Sequence, residues 1–241
     1  MYREELDKIH VIYRISGMLI NESPLCVGAG RGEALGGSDN PVIRMGGIPY
    51  IPGSTLKGSL RSEAERYART YLNEFVCDIL NPKGEDGELK RKEKLKESYR
   101  PCIICRVFGG PTIASHLTIR DSIPKGNVRT EKRTSVSISR ITGGQYPGRL
   151  YDVEYVVPDS EFKFEMIIEN LDLLGDSSEA KIVRYLLSLL QKGMISIGRR
   201  KSTGMGKVRL KELKATRLGF EEMGIKETEV TEELIRKLNE S

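Results

Sequence analysis

Two apolar stripes at helical spacing, each standing among β-rich runs, constrain this chain more than any other feature. The first is Leu56, Leu60, Ala64, Ala68 and Leu72, with Tyr67, Tyr71 and Phe75 alongside. The second is Ile182, Val183, Leu186, Leu187 and Leu190. Steps of three and four residues put each set on one face of a helix. Residues 10–20 (HVIYRISGMLI) are apolar and β-branched and read as a strand, as do residues 116–123. Residues 128–157 alternate around Gly143–Gly144 like a long hairpin. Phe162, Phe164, Met166 and Ile168 alternate with Lys163, Glu165 and Ile167, which makes one largely apolar strand face. Short strands are expected around 194–197 and 207–210, and an amphipathic helix over Thr231 to Asn239.

The order is strand, helix, strands, strand, helix, strand. That is the β-α-β-β-α-β plan of an α+β, ferredoxin-like (RRM-like) fold, with both helices on one sheet face. The 241 residues suit a single domain. Large insertions are expected at 28–47, 76–115 and 124–157. Within the second, residues 82–100 (PKGEDGELKRKEKLKESYR) are almost wholly polar and read as solvated. Ser54 is placed to cap the first helix, and Asp176 to open the second with Glu179 three residues on. An apolar fraction of 38% and a charged fraction of 30% exclude a disordered chain. No apolar run nears the ~20 residues of a membrane helix. The opening MYREELDKIH has no apolar core, so the expected location is the cytoplasm, where Cys26, Cys77, Cys102 and Cys105 would not serve as a disulfide framework.

Net charge is +5, and its distribution is uneven. Lys125, Arg129, Lys132, Arg133, Arg140 and Arg149 face the single acid Glu131 between 124 and 149. Arg199, Arg200, Lys201, Lys207, Arg209, Lys211, Lys214 and Arg217 face only Glu212 between 198 and 217. Two such stripes can follow a phosphate backbone, or be plain solvated loops. The glycine-rich stretch from Gly28 to Gly47 presents Asp39 in Gly36-Gly37-Ser38-Asp39-Asn40-Pro41, with Arg44 close behind. Alone, Asp39 reads either as an Asx-turn residue or as a reactive carboxylate. Then Ile51-Pro52-Gly53-Ser54 leads into a helix tip with Lys57 and Arg61 one turn apart, a combination suited to phosphate. Its glycine and lysine order is not that of a nucleotide-binding P-loop. Cys102 and Cys105 have zinc-knuckle spacing, for which Cys77 and His116 are the available partners. The alternative is a set of buried thiols, and Cys26 is assigned to the core. With only His10 and His116 present, a two-histidine acid–base ribonuclease is disfavoured.

Four segments, in order, resemble one family. They are Gly36-Gly37-Ser38-Asp39 through Ile48-Pro49-Tyr50-Ile51-Pro52-Gly53-Ser54-Thr55-Leu56-Lys57-Gly58; Pro101-Cys102 through Cys105-Arg106-Val107-Phe108-Gly109; Arg129-Thr130 through Ile138-Ser139-Arg140-Ile141-Thr142-Gly143; and Gly198-Arg199-Arg200-Lys201-Ser202-Thr203-Gly204-Met205-Gly206-Lys207. Together they are similar to the RAMP superfamily, and within it to the Csm-type backbone subunit of type III CRISPR complexes. The resemblance implies copies stacked in a filament on a CRISPR guide RNA, alongside other type III subunits. It implies a thumb hairpin that wedges into the guide–target duplex, and an aspartate, here Asp39, that cuts the complementary target RNA with Mg2+ or Mn2+. Implied RNA contacts are Arg44, Ser54, Lys57, Arg61, Lys132, Arg133, Arg140, Arg199, Arg200 and Lys201. A structural Zn2+ on Cys77, Cys102, Cys105 and His116 completes the expectation. The hairpin departs from the family's Ile-Asp-Arg by carrying Ile138-Ser139-Arg140. Two other readings stand beside this one: a binding-only backbone subunit, and a guide-processing endonuclease that needs no metal.

Overall fold

A computed structural model describes residues 7–28, 40–221 and 224–240. Asp39 lies outside the described residues, as do the glycines between it and Gly28. The fold is mixed α/β, and its main sheet is antiparallel throughout. β1 (Val11–Asn21) is central, flanked by β7 (Glu161–Glu169) and β9 (Lys207–Glu221). β4 (Leu117–Ile119) lies beyond β7 and β10 (Gly224–Glu229) beyond β9, while β8 (Ile195–Ser196) also pairs with β9. Two short strands, β2 (Arg44–Met45) and β3 (Ile48–Pro49), form a separate ribbon. β5 (Thr130–Ile138) and β6 (Gln145–Val156) form a two-stranded hairpin of their own, the thumb.

α1 (Gly53–Tyr67) follows the ribbon, and a π-turn over Ala68–Leu72 extends it to Asn73, which has a positive φ of 50°. Leu56, Leu60, Ala64 and Ala68 are fully buried. Each buried leucine contributes roughly 2 kcal/mol of transfer free energy. Leu72, expected in the same stripe, is only half-buried because the π-turn rotates it off the buried face. α4 (Ser178–Gln191) buries all five of its predicted positions against α1 and the sheet. Ser177, not Asp176, caps it, by accepting the Ala180 amide at 3.2 Å. Asp176 lies outside the helix, 83% exposed. α5 (Thr231–Asn239) closes the layer, with Leu234 and Leu238 buried.

Further expectations need correction. Residues 82–100 are not simply solvated: they contain α2 (Glu88–Leu95), and Glu88 at its start is fully buried. α3 (Ile103–Phe108), which periodicity did not predict, lies in the core, with Ile103, Ile104, Cys105, Val107 and Phe108 all buried. β9 also runs far beyond residue 210. A β-bulge opposite Gly17, with Glu212 at a φ of 53°, interrupts its alternation and disguises one long strand as a short one.

Candidate nucleic-acid interface and the cysteine cluster

Three of the four sequence motifs meet at the base of the thumb. Chain on either side of residues 29–39 lies side by side there, since Gly28 bridges Val42 and the Ile43 amide reaches Val27 O at 2.8 Å. Thumb strand β6 grips both sides. Leu25 and Val156 exchange hydrogen bonds of 3.0 and 2.8 Å, and the Glu154 amide donates to Asn40 O at 3.2 Å. The glycine loop at 198–206 grips from the other direction. The Arg199 amide donates to Cys26 O at 2.8 Å and the Gly206 amide to Pro24 O at 2.9 Å. Arg199 Nη1 donates to Asn40 Oδ1 at 3.1 Å. Gly206 has a φ of +85°, and a Cβ there would stand 2.0 Å from Ile197 O, so only glycine fits. A small apolar cluster of Cys26, Val153, Tyr155 and Met205 fills the joint, as expected for Cys26.

Glu154 locks this joint. Its carboxylate accepts from the Val42 amide at 3.0 Å, from both Nη atoms of Arg44, and from Thr130 Oγ1 at 2.9 Å. These partners, the Arg44 hydrogen bonds foremost, hold its pKa down at about 2 despite burial, which pushes the other way. Arg44 is therefore an anchor for the segment after Asp39, with its other Nη2 contact on Thr130 at 3.1 Å.

The helix tip differs from expectation. α1 begins at Gly53, and Ser54 is exposed in the first turn and makes no cap. Asp121 supplies the carboxylate instead, accepting the Gly53 amide at 2.8 Å. A Cβ on Gly53 would meet Ile119 O at 2.1 Å, so this glycine admits a neighbouring backbone. Lys57 turns inward and donates to Ser115 Oγ and Leu117 O, both at 2.8 Å. Burial, with the nearby Arg61 charge second, lowers its pKa. Arg61 donates to Gly109 O at 2.9 Å, to Glu65 at 3.1 Å and to Cys105 Sγ at 3.5 Å. Both cations fasten α1 to the 105–117 segment, and this geometry does not offer them to a phosphate.

The thumb and the 198–206 loop carry the outward cations. Lys132, Arg133, Arg140, Arg199 and Lys201 are exposed. Arg200, in a left-handed conformation, lies over the Tyr151 ring at 4.9 Å, and its hydrogen bond lowers the Tyr151 phenol. Arg133 lies 5.5 Å over Tyr155, and Arg149 4.9 Å over Tyr146. Towards the tip, Ile138, Tyr146 and Leu150 are exposed, and Ile141 is 96% exposed. Ser139, where the family carries an acid, closes the turn: its amide donates to Gly144 O and its carbonyl accepts from Gly143, both at 2.9 Å. The interface thus pairs a basic, aromatic-backed surface with a protruding apolar tip.

The fourth motif builds a different site. Cys77, Glu88, Cys102 and Cys105 are buried, and their ligand atoms lie within 4.8 Å of one another. Cys77 Sγ is 3.4 Å from Cys105 Sγ and 3.5 Å from Cys102 Sγ. Hydrogen bonds from Cys105 and Cys77 hold the Cys102 thiol well below its ordinary range. His116, the fourth ligand expected from the sequence, is elsewhere: its Nδ1 donates to Glu169 O at 2.6 Å, which ties β4 to β7. Glu88 takes its place. Glu154, Asp121 and Glu88 were not evident in the sequence. The only signal for Glu154 is an acid amid the apolar alternation of Val153-Glu154-Tyr155-Val156, while Glu88 sits in a run as polar as any solvated helix.

The family model for the RAMP superfamily matches residues 20–209. Curated relatives bear one name, CRISPR system Cms endoribonuclease Csm3. That of Methanothermobacter thermautotrophicus is 29% identical over 231 residues, covering 84% of each chain. That of Methanocaldococcus jannaschii is 29% identical over 216 residues, 83% of this chain and 79% of its own. That of Streptococcus thermophilus is 32% identical over 189 residues, 76% of this chain and 79% of its own. With a family match running from β1 into β9 and relatives aligned over most of both chains, this protein belongs to the RAMP superfamily.

Proposed function

We propose that this chain is a guide-RNA-binding backbone subunit of a type III CRISPR effector complex, and that it cuts complementary target RNA with Asp39 in a divalent-metal-dependent reaction. The observation that carries the reading is the clamp on Asn40, the residue peptide-bonded to Asp39. It is held by the thumb base on one side and by Arg199 on the other. Asn40 thereby lies against the cationic 198–206 loop. The relatives' endoribonuclease name accords with this.

The core on this reading is ferredoxin-like, which the neighbour order β9, β1, β7, β4, with α1 and α4 in the crossovers, supports. On this reading the chain is one domain, with the thumb at 124–157 as an insertion. Lys132, Arg133, Arg140, Arg199, Arg200 and Lys201 take RNA phosphates, and the tyrosine-backed arginines hold their planes for stacking. The apolar tip separates a base pair and leaves a kinked nucleotide at the thumb base. There the nucleotide's own 2′-oxygen comes in line with the adjacent phosphorus. The 2′-OH loses its proton and bonds to phosphorus, and the 5′-oxygen of the next nucleotide leaves and is protonated. The products are a 2′,3′-cyclic phosphate and a 5′-hydroxyl. Mg2+ or Mn2+ supplies charge for the phosphorane when bound. Asp39 holds the hydrated ion or takes the 2′-OH proton. Arg44 acts through the loop, as its guanidinium is committed to Glu154. The partners are guide RNA, target RNA, further copies and other type III subunits, in the cytoplasm. No helix among the described residues is long and apolar enough to cross a membrane. A structural zinc at the cysteine cluster belongs to the same reading.

The test is reconstitution on a guide RNA with an end-labelled complementary RNA. Regularly spaced cuts that EDTA abolishes are expected. Cutting of a free repeat hairpin by the chain alone, undiminished by EDTA, would overturn the proposal in favour of a guide-processing enzyme.

A further inference from the structure

We infer that the fourth ligand of the buried metal site is the Glu88 carboxylate, giving a Cys3Glu zinc site that pins residues 77–105 beneath α1. The inference rests on the reading that the cysteine cluster holds a metal ion. Four buried side chains from separate elements converge there: Cys77 after the α1 extension, Glu88 at the start of α2, Cys102 before α3 and Cys105 within it. The thiols are spaced for tetrahedral zinc. Zn–S bonds of about 2.3 Å place two sulfurs about 3.8 Å apart, and the Sγ separations of 3.4 and 3.5 Å need only a few tenths of an ångström of expansion.

The second, independent observation is Glu88 itself. It has no exposed surface. Its Oε1 is engaged, accepting from the Tyr99 hydroxyl at 2.5 Å and from the Cys102 amide at 3.0 Å. Its Oε2 is buried without a hydrogen-bond partner among the described residues. A buried carboxylate oxygen left unpaired is costly unless a cation takes it. The nearest guanidinium atom, Arg91 Nη1, stands 4.0 Å away, too far for a hydrogen bond. The Oε1 contacts have the form of an outer shell that orients a metal-bound carboxylate, and Tyr99 is in turn fixed by Thr112 at 2.6 Å.

Nearby cations favour the site as well. Three thiolates and one carboxylate carry four negative charges, a zinc ion returns two, and the guanidiniums of Arg91 and of Arg61, which also pairs with Glu65, offset part of the remainder. Arg61 Nη2 reaches Cys105 Sγ from α1, so the site is fastened to the helix that follows the Asp39 segment. His116 is not among the described residues whose ligand atoms converge at the cluster, and its Nδ1 donates to Glu169 O at 2.6 Å.

The experiment uses the full-length chain, purified under reducing conditions. Zinc content should be one equivalent. X-ray absorption at the zinc edge should fit three sulfurs near 2.3 Å and one oxygen near 2.0 Å, without the outer-shell scattering of an imidazole. In competition with a chromophoric chelator, Glu88→Gln should weaken zinc binding at least tenfold, while His116→Ala should stay within twofold of wild type. Imidazole scattering in the wild-type spectrum, or loss of affinity in His116→Ala but not in Glu88→Gln, would overturn the Glu88 assignment and leave the zinc reading standing. A reduced chain that holds no zinc and takes none up would overturn both. The absorption spectrum needs no variant, so a poorly folding Glu88→Gln does not blunt the test.

Discussion

Glu154→Gln removes one charge from the joint that holds Asn40–Arg44 to the thumb. The wild-type carboxylate takes hydrogen bonds from the Val42 amide, both Arg44 Nη atoms and Thr130. With the Arg44 hydrogen bonds leading, they hold its pKa at about 2 against an ordinary 4.5. That displacement corresponds to about 3 kcal/mol in favour of the folded, ionised form at neutral pH. The Arg44 side chain is 32% exposed, and solvent screening trims the figure to about 2 kcal/mol. Glutamine keeps one acceptor but turns an amide donor towards Arg44, so little of the stabilisation is recovered. For a chain of this size the loss lowers Tm by roughly 4–8 °C. The folded pKa is depressed, so the contribution is complete above the unfolded value of 4.5 and drains away as pH falls towards 2. Thermal melts of wild type and Glu154→Gln across that range provide the assay. The gap should be full at neutral pH, narrow below the unfolded pKa and close at the acid end. Equal Tm values at neutral pH, or a gap that persists undiminished at the acid end, would refute the reasoning.

Other consequences can be checked separately. Replacing Lys132 and Arg133 together by Ala should weaken RNA binding for every guide sequence and reduce the salt slope by about 0.7–0.9 per lost contact. Lys57→Met should leave that slope unchanged while lowering Tm, because its ammonium is committed to Ser115 and Leu117. A Lys57→Met protein with a flattened slope would return Lys57 to the RNA surface. Gly206→Ala should destabilise by more than about 2 kcal/mol, since a Cβ would stand 2.0 Å from Ile197 O at a φ of +85°. A chemical denaturation midpoint indistinguishable from wild type would contradict this.

Periodicity carried the fold because burial enforces it. Every predicted position on α4 is buried, and four of the five on α1, because an apolar stripe has only one place to go. What periodicity could not show was the effect of single-residue geometry. A π-turn moves Leu72 off its stripe, and the bulge at Gly17 and Glu212 hides most of β9. The site was half legible for a related reason. Charge and glycine marked the loops that converge on the thumb base, but residue type does not say which way a long cation points. Lys57 and Arg61 read as phosphate ligands and turned out to be fasteners, because Ser115 Oγ and the Leu117 and Gly109 carbonyls take their donors. Likewise the C-x-x-C pair announced a possible metal site. Its fourth member depended on a fold-back that brings Glu88, fourteen residues before Cys102, against a thiol pair.

The central claim is that Asp39, the acid preceding Asn40, does the cutting. Asp39→Ala, assembled with guide RNA and challenged with complementary RNA in Mg2+, addresses it directly. Target affinity should match wild type within about twofold and the cleavage rate should fall at least a hundredfold, an effect of about 2.7 kcal/mol or more on the barrier. Cleavage at the wild-type rate by an assembled Asp39→Ala complex would contradict the account and leave this subunit a scaffold whose nuclease lies elsewhere.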